Sequence, residues 1–278
     1  LPHLIRSLCT PLEPQPTDAV ADIAPLTGIR AVLFDVYGTL VISASGDIGL
    51  AGKQDTAGAF AAALDAAGVQ APAGTGPASL VQAIRAFHAE RKAAGVQFPE
   101  VDILQIWRQV LHTRKDPRHL AVEYECRVNP VWPMPGLADL LNNLRSRGLV
   151  LGIVSNAQFY TPLMLEAFLG ASLADLGLDA ECCAWSYRLL EAKPSIRIYE
   201  EALAGLDRVH GIESGKVLYV GNDMRNDIWP ASVVGCRTAL FAGDARSFRL
   251  REDDPLCTSV IPDRIVTDLR QISDDVLS

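Results

Sequence analysis

Residues 31–40 read Ala31-Val32-Leu33-Phe34-Asp35-Val36-Tyr37-Gly38-Thr39-Leu40. Four successive apolar residues, greasy on both faces, suit a strand buried inside a parallel sheet. The run stops at a carboxylate and a Gly-Thr turn. Ligands of open α/β sheets bind beyond the carboxyl ends of the strands, so Asp35 stands where chemistry is expected. The same pattern recurs after Pro130. Residues 149–154 form a strand ending at Ser155-Asn156, and residues 182–185 form another. Residues 217–220 end at Gly221-Asn222-Asp223, residues 237–241 make a further strand, and residues 263–277 give a last short strand and helix. Between them, Leu137, Leu140, Leu141 and Leu144 keep helical spacing, and residues 161–169 and 195–204 are also helical. Strands alternating with helices predict a doubly wound, Rossmann-like parallel sheet of the α/β class.

Residues 44–128 break the alternation. Leu80, Ile84 and Phe87, then Ile103, Trp107, Val110 and Leu111, hold helical spacing, and strand candidates are few. This 85-residue block has nine Lys/Arg and nine Asp/Glu, so the net charge of −8 lies in the remainder, residues 1–43 and 129–278. Residues 1–27, with five prolines, read as an extension that packs irregularly or lies loose. The stretch 66–84 lacks charge, but Pro72, Gly74, Gly76 and Pro77 make it a loop between helices and not a membrane span. An acidic chain is poorly suited to non-specific nucleic-acid binding. Six cysteines without a CxxC pair, and no basic-then-apolar start, predict a reduced, cytoplasmic protein. Apolar helices in the block make either a monomer or a homodimer conceivable.

The polar residues after the strands form an ordered set: Val32-Leu33-Phe34-Asp35-Val36-Tyr37-Gly38-Thr39, then Ile153-Val154-Ser155-Asn156, then Lys193-Pro194, then Gly221-Asn222-Asp223-Met224-Arg225-Asn226-Asp227. In kind and order this resembles the four motifs of the haloacid dehalogenase superfamily of hydrolases, over about residues 30–245, with residues 44–128 similar to that family's inserted helical cap. The resemblance implies a core of residues 28–43 and 129–278. It also implies Asp35 as nucleophile, a carboxylate ionised at neutral pH that needs no activating base. Lys193 would balance the charge of nucleophile and substrate. Ser155, Asn156 and the Gly38-Thr39 turn would bind substrate oxygens, with backbone N–H groups of the turn facing the ligand. Asp35, the Tyr37 carbonyl, Asn222, Asp223 and Asp227 would hold Mg²⁺, which favours oxygen ligands.

Two departures divide the reading. Tyr37 takes the position of the second Asp of the family's phosphatases, and a phenol with pKa about 10 is a poor base at pH 7. Tyr37, Ser155-Asn156, Thr39 and Lys193 with Tyr199 six residues on are similar to the 2-haloacid dehalogenases, whose halide leaves without a proton. Asn222, however, sits in the first Asp slot of the phosphatase pattern. The early cap arginine of the dehalogenases would fall at Ala66, and no Arg lies between Asp35 and Arg85. Asp223 and Asp227 beside Asp35 argue for a cation. The leading expectation is therefore Mg²⁺-dependent hydrolysis of a small phosphate ester or anhydride. The alternatives are metal-free carbon–halogen hydrolysis, or a non-catalytic binding protein on the same fold. Arg85, His88, Arg91 and Lys92 share one helix face. Arg85 and Arg91 are candidate contacts for a small anionic substrate, although a solvated face is the plainer reading.

Overall fold

The computed structural model describes residues 1–45 and 55–277. Residues 46–54, which the sequence reading gives to the start of the helical block, lie outside the described residues. In chain order the elements are α1 (Pro2–Leu8), β1 (Ala31–Phe34), β2 (Val41–Ser43), α2 (Thr56–Ala66), α3 (Pro77–Ala93), α4 (Ile103–Val110), α5 (Arg118–Val128) and β3 (Val131–Pro133). There follow α6 (Leu137–Ser146), β4 (Val150–Ser155), α7 (Tyr160–Leu169), β5 (Leu178–Trp185), α8 (Ser186–Leu189), α9 (Arg197–His210), β6 (Val217–Gly221), α10 (Trp229–Val233), β7 (Arg237–Phe241) and β8 (Arg264–Val266).

β1 is the axis of a six-stranded parallel sheet ordered β5-β4-β1-β6-β7-β8. It pairs with β4 on one side and β6 on the other, Ala31 facing Val150 and Val217, and Phe34 facing Ile153 and Val220. Side chains alternate across a strand. Val32 and Phe34 accordingly enter one apolar layer with Leu137, Leu141 and Met164, whereas Ala31 and Leu33 enter the other with Ile198, Ala202 and Leu206. All four β1 residues are fully buried. Because the chain winds outward in both directions from β1, the carboxyl ends of β1, β4 and β6 open on one crevice.

β2 and β3 form a two-stranded antiparallel ribbon, Val41 opposite Pro133, that the sequence reading does not contain. Helices α2–α5 run between these two strands and form a helical cap with its own core, in which Trp107 stacks on Phe60 at 5.6 Å and meets Tyr124 edge-on. Helix α5 belongs to both layers: Leu120 and Ala121 lie in the cap core, and Val122 and Cys126 in the main core. Residues 66–84 are the end of α2, a turn and the start of α3. Among the described residues no helix is long and apolar enough to cross a membrane.

The N-terminal segment packs on the core along its length, mostly without regular structure. Pro2 sits in the first turn of α1, where its missing N–H costs nothing. Ile5 is fully buried, and the Thr17 hydroxyl donates to the Ala242 carbonyl at 2.7 Å. Asp22 bridges to Ile265, and the Leu26 N–H donates to the Val276 carbonyl.

α9 lies so close to β5 that a Cβ on Gly205 would fall 1.8 Å from the Glu181 carbonyl oxygen. Helix propensity alone favours Gly→Ala by about 1 kcal/mol. Here Gly205→Ala is expected to destabilise by about 1–3 kcal/mol through overpacking against backbone, read as a lower urea midpoint. An unchanged or raised midpoint would show that the helix is free to move off the strand.

Candidate active site

Asp35 follows β1 directly, and its N–H donates to Val220 of β6, which anchors the residue between the central strands. Its side chain is buried, and Oδ1 accepts the Lys193 ammonium at 2.6 Å and the Ser155 hydroxyl at 3.0 Å. The same ammonium donates to Asp227 Oδ1 at 2.6 Å. Burial by itself pushes the Lys193 ammonium down, but the charges of Asp227 and Asp35 and their hydrogen bonds outweigh it and leave its pKa above the ordinary lysine value. Lys193 is therefore a cation shared by two carboxylates.

The loop that carries Lys193 is held by Asn156. The Lys193 N–H donates to Asn156 Oδ1 at 2.7 Å, and Asn156 Nδ2 reaches the Lys193 carbonyl at 3.4 Å. Asn156, expected to bind substrate, thus spends both ends of its amide on positioning the lysine. Ser155 is fully buried and its hydroxyl donates to Asp35 Oδ1, so the structure brings these two predicted residues together. Gly38 has φ +83, and a Cβ there would lie 2.4 Å from Ser247 Cβ, so the turn requires glycine. Its N–H donates to the Val41 carbonyl and that of Thr39 to the Val36 carbonyl. These N–H groups close the turn and do not face the ligand. The Thr39 hydroxyl, also fully buried, donates to Asn222 Oδ1 at 3.0 Å.

The acidic cluster after β6 is organised differently from the sequence expectation. Asp227 Oδ2 accepts the N–H groups of Asn222 and Asp223 at 3.0 and 2.9 Å, and the Tyr219 hydroxyl lies 3.0 Å from Oδ1. Burial raises the Asp227 carboxyl pKa, with Lys193 opposing it. Asp223 caps the following turn through the N–H groups of Arg225 and Asn226, and Arg251 grips it, Nη2 lying 2.6 Å from Oδ2. Asn222 donates Nδ2 to the Ser247 carbonyl at 2.6 Å while Oδ1 accepts from Thr39. Among the described residues, Asp35 Oδ2 is the one oxygen of these three carboxylates without a hydrogen-bond donor.

Of the oxygens expected to hold Mg²⁺, those of Asp223 and Asp227 are turned to partners within the chain, while Asp35 Oδ2 is left without a donor. The ion wants several anionic or carbonyl oxygens turned toward one point. Asp223 and Asp227 instead have every oxygen engaged, by Arg251, Lys193, a phenol and backbone N–H groups. Asn222, a neutral amide, has both ends committed. Two cations of the chain itself, Lys193 and Arg251, meet these three carboxylates, and Arg251 was invisible in the motif because it lies 28 residues along, beyond β7.

A cavity of about 350 Å³ opens over Asp35, bounded by Lys193, Asn156, Asn222, Asp223 and Asp227 from the core, Arg249 from the loop after β7, and His88 and Glu100 from the cap side. Neither Arg85 nor Arg91 lines it: Arg85 is exposed, and the face of α3 turned inward carries His88. Arg249 was missed by sequence reasoning. Its N–H donates to the Asn222 carbonyl, a contact that no local spacing announces. The Tyr37 hydroxyl turns into the core and meets Thr161 Oγ1 at 2.9 Å. Burial and then the Glu125 charge push its pKa well above the phenol range. The Tyr199 hydroxyl donates to the Asn226 carbonyl at 2.6 Å and braces the turn that holds Asp227.

Lys193→Met would leave Asp35 and Asp227 buried without their cation. Removing one partner of a buried pair costs about 3–5 kcal/mol. Burial already raises the Asp227 carboxyl, and without the opposing ammonium it rises further above its unfolded value. The variant's stability is then present below the unfolded carboxylate pKa and lost as pH rises through the folded one. Its deficit against wild type in urea unfolding should therefore be larger at pH 8 than at pH 4. Equal deficits would show that Lys193 does not carry this charge balance.

Comparison with known proteins follows from this geometry. A family model described as haloacid dehalogenase-like hydrolase matches residues 29–235. Similar solved structures include a 2-haloacid dehalogenase from Pseudomonas syringae pv. Tomato DC3000, with TM-score 0.56 and 19% identity over 88% of this chain and 96% of that one. They also include a HAD phosphatase from Thermococcus onnurineus, with TM-score 0.53 and 18% identity over 90% of this chain and 100% of that one. At such identities the likeness is one of fold. No curated protein sequence matches the chain. The family match spans most of the chain, including Asp35, the helical block, Lys193 and the acidic turn. The chain therefore belongs to the haloacid dehalogenase-like hydrolases.

Proposed function

We propose that this hydrolase acts on a small anionic substrate through a covalent ester on Asp35, without a metal ion, and breaks a bond whose leaving group departs without a proton. Halide on the carbon next to a carboxylate is the simplest such case. The observation that carries this reading is the state of the nucleophile. Asp35 Oδ1 is held by Lys193 and Ser155, Oδ2 is left without a donor, and the residue two positions on points its hydroxyl into the core. In the first step Oδ2 attacks the electrophilic carbon from the side opposite the halide. The C–O bond forms as the carbon–halogen bond breaks, and the halide leaves with the bonding pair. Lys193 and Arg249 set positive charge at the cavity wall, where the substrate's own carboxylate would sit.

A second reading, Mg²⁺-dependent hydrolysis of a phosphate ester, is favoured by one observation: neither cap arginine reaches the cavity to bind a haloacid carboxylate. One experiment separates the two. Chloride release from 2-chloropropionate is measured beside phenol release from an aryl phosphate, each with Mg²⁺ and with chelator. The first reading predicts chelator-insensitive chloride release that Asp35→Asn abolishes. Aryl phosphate turnover that appears only with Mg²⁺ would establish the second instead. Tyr37→Phe should keep turnover within about threefold while losing about 0.5–1.5 kcal/mol of stability from one hydrogen bond. A far larger fall in turnover would return Tyr37 to the chemistry.

A further inference from the structure

Away from the cavity over Asp35, one cluster of side chains has the chemistry of a metal site. Among the described residues, Asp179, Cys182 and His210 are the one group in which a carboxylate oxygen, a thiol sulfur and an imidazole nitrogen come within 4.8 Å of one another. None of the three lines the Asp35 cavity. Their meeting has a local cause in β5. Leu151 of β4 faces Leu178 and Ile153 faces Cys183, so β5 takes five steps where β4 takes two. Residues three apart on a regular strand point to opposite faces. The extra length acts as a bulge and re-aims side chains. It turns Asp179 and Cys182 alike toward α9. The thiol packs in the layer of Ile198, Ala202 and Leu206, and Asp179 Oδ2 lies 2.7 Å from His210 Nε2, in the last turn of that helix. The other Asp179 oxygen accepts the Glu181 N–H at 2.9 Å, which steers Oδ2 toward the ring.

We propose that Asp179, Cys182 and His210 form a binding site for Zn²⁺ between the edge strand β5 and the end of α9. The donor set selects the ion. Mg²⁺ and Ca²⁺ take oxygen ligands, whereas one thiolate, one imidazole and one carboxylate suit Zn²⁺. Tetrahedral Zn²⁺, with a Zn–S bond of about 2.3 Å and Zn–N and Zn–O bonds of about 2.0–2.1 Å, holds its ligand atoms about 3.3–3.6 Å apart. The Asp179–His210 pair opens and the sulfur draws in, each by about 1 Å or less, to reach that spacing. Asp179 and His210 have side chains 28% and 27% exposed, so the ion enters past them, and the fully buried Cys182 closes the site from beneath. The thiol proton passes to solvent as the Zn–S bond forms. Thiolate and carboxylate together then balance the charge of the ion. Water takes the fourth tetrahedral place on the exposed side. The bound ion ties β5 to α9, the helix that follows the Lys193 loop.

The test uses the full, untagged chain at pH 7.5 after treatment with chelator and dialysis. Equilibrium dialysis counts bound Zn²⁺, and Co²⁺ serves as a probe whose bond to a thiolate gives a charge-transfer absorption band. The expected result is one Zn²⁺ per chain with Kd in the micromolar range or tighter, a Co²⁺–thiolate band that Zn²⁺ abolishes, and a Tm raised by Zn²⁺ because the ion binds the folded state. Cys182→Ala should remove the band. His210→Ala, at a partly exposed position where folding is not at stake, should weaken Zn²⁺ binding at least about tenfold, since even groups that only orient metal ligands are worth that much. Three outcomes would each overturn the site: no saturable Zn²⁺ binding by folded wild type in the micromolar range, binding that His210→Ala leaves unchanged, or Co²⁺ bound to wild type without a thiolate band.

Discussion

Everything at this site depends on one buried ammonium. Lys193 Nζ lies 2.6 Å from a carboxylate oxygen of Asp35 and 2.6 Å from one of Asp227, with its side chain almost wholly removed from solvent. Two buried anions so close to each other would not both stay ionised without it. With it, Asp35 has one oxygen held by the ammonium and the Ser155 hydroxyl and the other without a donor. The rest of the crevice serves that placement: Asn156 clamps the lysine's backbone, Ser155 orients the nucleophile, and Tyr219 and Tyr199 brace Asp227 and its turn.

The fold makes this possible by converging loops, not by any local motif. β1, β4 and β6 are neighbours in the sheet, so residues 35, 155 and 222, far apart in sequence, end at one edge. The β2–β3 ribbon carries α2–α5 out of the core and back, and α5 packs in both layers. Residues of the cap and of the core therefore line one cavity over Asp35. A second charge pair, Arg251 on Asp223, comes from the loop after β7.

Most of the fold was legible in the chain. Apolar four- to six-residue runs ending in polar turns mark the buried parallel strands, and β7 falls where the sequence places it, at 237–241. The parts not legible are those with weak local signals. β2 and β3 are three residues each, and only their pairing defines them. For the N-terminal segment the chain leaves irregular packing and a loose arm both open, because its order comes from contacts with residues more than 200 positions away, such as Thr17 with Ala242. For the site, the strand-end rule brought Asp35, Ser155, Lys193 and Asp227 to notice together. It misread what the acidic turn is for, because counting charges in a seven-residue window omits Lys193 and Arg251, which arrive from elsewhere. It also named Arg85 and Arg91 on α3 where the inward residue is His88, since helical spacing gives a shared face but not which way that face turns.

The central claim is that these carboxylates are balanced by the protein's own cations. Titration calorimetry of the folded chain with Mg²⁺ at pH 7.5, run on wild type and on Asp35→Asn, tests it directly. The charge balance described here predicts no saturable binding in the millimolar range for either protein. Stoichiometric Mg²⁺ binding by wild type that Asp35→Asn removes would contradict it.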